Sequence, residues 1–310
     1  MLSILNALIP VILIILLGIL LKRGSLFSEV QWQGVENLCY FVLFPSLLVK
    51  TLATAEVGGA DILLFSGMVL FAIFAMSGLL ILAFPLLNRR FGVDAGAFTS
   101  LFQGATRWHG FIALSIAGFL LGDEAIAYMA VTMAVIIPPL NVINITVLAL
   151  YGGKSANFGN VGRKIITNPL IIACLIGAFL NLTGIGLSST LYATLDLLGG
   201  GALGLGLLAV GAGLQFRKVL DHRFLVIFGT LIRLLGMPLL MFAGAWIFGI
   251  DGMPRTVAVL AGAVPTAGSS YVLARQMGGD ASLMANLITV QVVVSVITLP
   301  IMIWWAGGMI

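Results

Sequence analysis

Long apolar segments follow one another along the whole chain, with only short loops between them. A helix needs about 20 apolar residues to cross the roughly 30 Å hydrocarbon core of a bilayer. Hydrophobic residues make up 61% of the 310 and charged residues only 8%, whereas a soluble domain carries about 25% charged residues. The sequence therefore predicts an all-α integral membrane protein with ten transmembrane spans, at residues 2–21, 33–53, 62–87, 95–121, 124–151, 163–182, 187–214, 223–248, 255–277 and 281–305.

Positively charged residues are distributed unevenly between the two sets of loops. Two of them, Lys50 and Arg255, belong to one side of the predicted membrane and eleven to the other. Loops rich in Lys and Arg stay in the cytoplasm, so we expect both termini to lie outside it, in a multi-pass protein of the cell inner membrane. The eleven residues are Lys22, Arg23, Arg89, Arg90, Lys154, Arg163, Lys164, Arg217, Lys218, Arg223 and Arg275.

The two halves of the chain share short motifs at a nearly constant offset. Phe91-Gly-Val-Asp94 recurs as Phe248-Gly-Ile-Asp251, and Gly122-Asp123 recurs as Gly279-Asp280, both 157 residues later. Each half holds an odd number of predicted spans, five, so the second half must be inverted in the membrane. Such 5+5 inverted repeats are typical of secondary transporters. We predict a first repeat at residues 1–151, a cytoplasmic linker at 152–162 and a second repeat at 163–310.

The fourth predicted span holds a cluster of polar residues in its middle. Arg107 and His109 are its ionisable members, and ionisable groups at this depth are costly and commonly functional. Gly104 and Gly110 stand beside them and allow the backbone to leave the helical conformation. We therefore predict a helix break in this span, with Gly104 among its causes.

The ninth predicted span carries a matching cluster, because the offset of 157 residues places His109 on Thr266. Pro265 lacks an N–H group and its ring clashes with the preceding turn, so the helix should break there. Thr266, Ser269 and Ser270 follow and can satisfy the freed backbone groups. The two predicted breaks are thus symmetry mates.

A third predicted break lies in the fifth span, at Pro138 and Pro139. Asn141 and Asn144 follow at helical spacing and should face one side of the helix. They either line a substrate pathway or hold neighbouring helices together by hydrogen bonds.

These polar residues suggest an anion site. Half-helix N-termini favour anions, and Arg107 adds a permanent charge with a fork of donors that suits a carboxylate. The alternatives are a structural arginine that binds helix carbonyl groups, a neutral histidine that bridges unwound backbone, and hydroxyl groups that bond their own helix. The candidate substrate-binding residues are Arg107, His109, Gly110, Pro265, Thr266, Ser269, Ser270, Asn141 and Asn144.

Two of these stretches resemble the auxin efflux carrier family, in its bacterial branch of malonate or organic-anion permeases. They are residues 265–280, PTAGSSYVLARQMGGD, and residues 107–112, RWHGFI. The family motif at the second stretch usually has Asn and Thr where this chain has His109 and Gly110. The resemblance implies a fold similar to bile-acid and sodium/proton transporters, in which the fourth and ninth helices cross within a core domain and a second domain moves against it.

The sequence therefore predicts a secondary active transporter that moves a small organic anion, a carboxylate, by alternating access. Proton coupling or the membrane potential would drive it, since no buried Asp pair marks a sodium site. The alternatives are a sodium-coupled symporter of organic solutes with the same fold, or a membrane protein that acts as a channel or receptor. A homodimer is left open, and the bilayer is the expected surroundings of the chain.

Several other classes of function are disfavoured. An intramembrane enzyme would need a paired nucleophile and base or a metal-binding motif, and the chain has neither a His-x-x-x-His nor a paired-Asp motif. Cys39 and Cys174 lie in apolar segments and imply no disulfide and no metal site. We accordingly expect no cofactor, no metal and no nucleic-acid partner.

Overall fold

The computed structural model describes residues 2–55, 59–152, 163, 166–214 and 222–307. Within these residues the chain forms helices joined by short turns, and no β-strand occurs. The predicted linker, residues 152–162, lies outside the described residues except for Gly152. The helices are α1 Leu2–Arg23, α2 Glu29–Ala53, α3 Gly59–Phe91, α4 Ala95–Thr106, α5 Gly110–Ile116, α6 Asp123–Tyr151, α7 Pro169–Leu182, α8 Ser189–Ala212, α9 Arg223–Ile247, α10 Gly252–Ala263, α11 Ser269–Met277 and α12 Ala281–Gly307.

Six of the described helices contain segments long and apolar enough to cross a membrane. The chain is therefore a multi-pass membrane protein. The fourth and ninth predicted spans are each divided into two shorter helices, so neither α4 nor α10, with 12 residues each, reaches the length of a span. The six segments are Glu29–Ala53, Ile62–Phe91, Asp123–Tyr151, Ser189–Ala212, Arg223–Ile247 and Ala281–Gly307.

The helix predicted at residues 163–182 begins at Pro169 in the structure. The Asn168 side chain accepts hydrogen bonds from the backbone N–H groups of Leu170 and Ile171, at 2.9 and 3.2 Å, and so caps the helix. Proline suits the first helical position because its missing N–H group would have no partner there. Pro169 therefore starts α7 instead of lying inside it.

The described helices belong to two compact units. The first comprises residues 1–64, 110–134 and 163–214, and in it α1 and α8 pack backbone to backbone. A Cβ atom at Gly211 would lie 2.0 Å from the carbonyl oxygen of Ile15, and one at Gly18 would lie 2.2 Å from that of Leu208. Small residues thus set this helix contact, as is common in membranes.

The second unit comprises residues 65–109, 135–162 and 215–310. In this unit α4 and α10 are almost entirely buried: ten consecutive residues of α4, 97–106, and eight of α10, 256–263, are buried. A Cβ atom at Gly262 would lie 2.9 Å from Cα of Pro238 in α9, so the small residue lets the two helices approach closely. The polar clusters predicted from the sequence lie at the C-terminal ends of these two buried helices.

Candidate functional site

The fourth predicted span breaks at residues 107–109. The helix α4 ends at Thr106, Arg107 is extended with φ −73° and ψ 153°, and α5 begins at Gly110. The prediction that Gly104 causes the break is corrected, because this residue lies inside α4. A Cβ atom at Gly104 would lie 2.9 Å from Cδ1 of Leu287, so its small size serves the packing of α4 against α12.

The ninth predicted span breaks at residues 264–268. The helix α10 ends at Ala263, Val264 is extended with φ −70° and ψ 149°, and α11 begins at Ser269. A residue before proline is disfavoured in the helical region, since the proline ring clashes with its N–H group and Cβ. Pro265 therefore favours the extended conformation at Val264, where the helix ends.

The two broken segments, residues 107–109 and 264–268, lie against each other, and we refer to them as the paired breaks. The backbone N–H of His109 donates to the carbonyl oxygen of Pro265 at 2.8 Å. The hydroxyl of Thr266 donates to the carbonyl oxygen of Gln103 at 3.3 Å. Backbone groups that lose their helical partner must find another one in an apolar interior, and the bond between His109 and Pro265 satisfies one donor of the first break and one acceptor of the second.

Gln291 of α12 joins the paired breaks through its side-chain amide. Its Oε1 accepts from the backbone N–H of Thr266 at 2.9 Å, and its Nε2 donates to the carbonyl oxygen of Gly104 at 3.0 Å. A second acceptor for Nε2 is the carbonyl oxygen of Gly229 in α9, at 3.4 Å. Sequence reasoning missed Gln291, although an amide in the middle of an apolar span was a usable signal.

Arg233 of α9 was also missed as part of this site. Its guanidinium donates to three carbonyl oxygens at the C-terminal ends of the two buried helices: Val264 at 2.7 Å, Ala261 at 3.0 Å and Ala105 at 3.3 Å. The side chain is 1% exposed. The structural role that the sequence left open for Arg107, a contact with helix carbonyl groups, is thus filled by Arg233.

Arg107 itself points to the asparagine pair of α6. Its Nη2 donates to Oδ1 of Asn141 at 2.7 Å, and the arginine is only part-buried. Asn144 is fully buried, accepts from the Thr106 hydroxyl at 3.2 Å and donates to the carbonyl oxygen of Leu140 at 2.8 Å. Asn141 thus reaches the guanidinium, while Asn144 holds α6 to the end of α4.

The break predicted at Pro138 and Pro139 is corrected, because α6 is continuous from Asp123 to Tyr151. A proline φ near −65° is compatible with a helix, so the loss of two N–H donors does not end it. The regular helix keeps Asn141 and Asn144 on neighbouring turns, toward Arg107 and Thr106 respectively.

The remaining predicted residues differ in their surroundings. Thr266 and Ser270 are fully buried, with their hydroxyl oxygens 3.4 Å apart. Ser269 is exposed at the start of α11. Gly110 belongs to the first compact unit, where a Cβ atom on it would lie 3.1 Å from Cε of Met133.

Ionisable groups suited to metal binding do not cluster in the part of the chain that the structure describes. No group of three or more His, Cys, Asp or Glu residues there could hold a metal ion. Cys39 and Cys174 are both buried and unpaired with each other. The site is therefore built from arginines, amides, hydroxyls and backbone groups, which can bind and orient an anion.

Comparison with known proteins agrees with this picture. Residues 155–303 match a family model described as membrane transport protein. The chain is also 25% identical, over 303 residues, to an uncharacterized transporter of Methanothermobacter thermautotrophicus, with 94% of this chain and 95% of the relative covered. Both matches are to transporters and not to enzymes. The chain is thus a multi-pass membrane protein that is similar to membrane transport proteins, and the two matches support a membrane transporter.

Proposed function

We propose that the protein is a secondary transporter that moves a small organic anion, a carboxylate, by alternating access. The observation that carries the proposal is the hydrogen bond between the N–H of His109 and the carbonyl of Pro265. It joins two breaks that the sequence repeat relates to each other. In secondary transporters built from inverted repeats, the substrate binds near the membrane midplane where such discontinuous helices meet.

The charge of Arg107 supports an anionic substrate. Among the described residues, no carboxylate lies within ion-pair distance of Arg107. Its hydrogen-bond partner Asn141 is neutral, so the positive charge of the part-buried guanidinium is not compensated there. A carboxylate would supply the missing charge and can accept two parallel hydrogen bonds from an arginine.

The polar groups around Arg107 suit the rest of such a ligand. Asn141 would orient the guanidinium, and His109 and Pro265 would hold the two breaks together beside it. Thr266, Ser269 and Ser270 complete the proposed substrate-binding set within the second compact unit, with Asn144 as a helix contact at its edge. Gly110 stays a prediction from the sequence. His109 is the titratable side chain at the paired breaks, and proton coupling through it is part of this proposal.

The proposed topology has ten spans in a 5+5 inverted repeat. The fourth span comprises α4 and α5, and the ninth comprises α10 and α11. The repeats cover residues 1–151 and 163–310, and the 152–162 linker and the positively charged loops face the cytoplasm. Both termini then lie outside the cytoplasm. The protein resides in the cell inner membrane, as a monomer or as a homodimer.

Uptake into proteoliposomes tests the proposal. Labelled acetate, malonate and succinate would be offered to vesicles that hold the wild-type protein, Arg107→Ala or Arg107→Lys. We expect at least one of these carboxylates to enter faster than into protein-free vesicles, and Arg107→Ala to slow that uptake by roughly tenfold or more. Arg107→Lys keeps the charge but loses the planar fork, so its rate should fall between the two.

Arg90→Ala, at the end of α3, is the matched control and should transport at the wild-type rate. Full transport by Arg107→Ala would remove the arginine from the mechanism. Uptake of neutral or cationic solutes in place of all three carboxylates would contradict an anion transporter.

A further inference from the structure

Arg233 is a permanent charge in the interior of the second compact unit. It lies on a π-helical turn of α9, Ile232–Gly236, and is 1% exposed. Among the described residues, no carboxylate lies within ion-pair distance of it. An isolated charge in such surroundings is strongly unfavourable unless other groups compensate it.

The compensation comes from backbone carbonyl groups. Each helix C-terminus carries the equivalent of roughly half a negative elementary charge. The three acceptors of Arg233 are the carbonyl oxygens of Ala105 at the end of α4 and of Ala261 and Val264 at the end of α10. Two helix ends together thus present about one negative charge to one guanidinium.

Carbonyl oxygens at broken helix ends are also the ligands by which transporters hold exchangeable sodium ions or protons. Here three nitrogen atoms of one side chain occupy them, at 2.7, 3.0 and 3.3 Å. An arginine cannot lose its proton in a protein, and it cannot diffuse away. The carbonyl cluster therefore has its positive partner built into the chain.

We propose that the guanidinium of Arg233 is a resident cation, which takes the place of an exchangeable sodium ion at the C-terminal ends of α4 and α10. The intact protein then binds no sodium at this cluster. Removal of the side chain turns the cluster into a vacant site for a monovalent cation. The consequence for transport is that the anion moves without a sodium gradient. This consequence rests on the proposed function.

The wild-type protein gives the first test, in detergent and without any variant. Its thermal unfolding midpoint would be measured in sodium chloride and in choline chloride at equal ionic strength. We expect equal midpoints. A sodium ion bound only by the folded state would raise the midpoint in proportion to the logarithm of its concentration, and such a sodium-specific rise would overturn the proposal.

Variants give the second test. Arg233→Ala should unfold at a lower temperature than wild type, and low-millimolar guanidinium chloride should raise its midpoint while the same concentration of urea does not. Arg255→Ala is the matched control: Arg255 also donates to a backbone carbonyl, that of Ala306 at 3.1 Å, but is part-exposed. Guanidinium should have no such effect on that variant or on wild type.

Arg233→Met and Arg233→Lys keep the test decisive if Arg233→Ala does not fold. Methionine keeps much of the volume without the charge, whereas lysine keeps the charge. We expect the lysine variant to be the more stable of the two, and Arg233→Met to gain a midpoint that depends on sodium or guanidinium. A methionine variant as stable as wild type and indifferent to cations would show that the carbonyl cluster needs no positive partner.

These measurements do not depend on transport. If no carboxylate is transported but the cation results hold, the proposed function fails while the resident cation stands. If carboxylate uptake is confirmed but requires sodium and the wild-type midpoint rises with it, the resident cation fails while the anion site stands.

Discussion

Gln291 offers the sharpest test of how the paired breaks are held. The variant Gln291→Leu has a side chain of similar size but no polar atoms. It leaves the N–H of Thr266 and the carbonyl of Gly104 without the partners they have at 2.9 and 3.0 Å. Both groups are fully buried, and the N–H of Thr266, in the break between α10 and α11, has no regular helical partner to return to.

The expected magnitude follows from these two groups. A buried polar group left without a partner costs about 1–3 kcal/mol, whereas hydrogen bonds between membrane helices average only about 0.6 kcal/mol, since alternative partners are found. The Thr266 N–H, at the break, has no helical alternative, so the larger value applies to it. The Gly104 carbonyl lies within the last turn of α4, and the smaller one applies there. The free energy of unfolding should fall by about 2–3 kcal/mol.

Reversible unfolding in mixed micelles of increasing SDS content measures this difference. Thr298→Val is the matched control on the same helix, because the buried hydroxyl of Thr298 has no hydrogen-bond partner among the described residues. Its replacement by valine removes no hydrogen bond, so the free energy of unfolding should not fall. If Gln291→Leu is as stable as Thr298→Val, the amide does not hold the paired breaks together.

Two further predictions concern other parts of the chain. Gly211→Ala should lower the thermal unfolding midpoint, because its Cβ would lie 2.0 Å from the carbonyl oxygen of Ile15. Gly204→Ala is the control and should leave the midpoint unchanged, because a Cβ atom there has nothing within 4 Å. Equal midpoints for the two variants would contradict the packing argument. Asn141→Asp would place a carboxylate against Arg107, which now donates to Asn141 at 2.7 Å. It should raise KM for the transported carboxylate by roughly tenfold through competition for the guanidinium, and an unchanged KM in the uptake assay would exclude Arg107 from the anion site.

Much of the architecture could be predicted from the sequence because it depends on local chemistry. Only 8% of the residues in the chain are charged, and long apolar segments in a bilayer satisfy their backbone N–H and C=O groups as helices. The helices of the described residues, six of them long and apolar enough to span a membrane, agree with this. The end of α10 follows a local preference, since the ring of Pro265 disfavours the helical conformation at Val264. The transporter assignment came from motifs around these same residues, and the comparisons agree with it.

The corrections concern residues whose local effect was overruled by their surroundings. Gly104 permits a break, but its side of α4 packs on Leu287, where only a glycine fits without a shift. Pro138 and Pro139 remove two hydrogen bonds from α6, and the helix nevertheless continues because their φ angles suit it. Propensity alone could not rank these glycine and proline residues against Pro265.

The sequence by itself determined that this chain crosses a membrane and that polar groups interrupt two of its apolar segments. Both conclusions follow from the free-energy cost of placing polar groups in hydrocarbon. Only the tertiary structure decided which groups meet. Arg233 binds carbonyl oxygens 28, 31 and 128 residues away, and Gln291 joins partners 25 and 187 residues away. The hydropathy of the surrounding segment indicates that a polar side chain such as Arg233 or Gln291 is buried. Its hydrogen-bond partners depend on how helices that are distant in sequence pack.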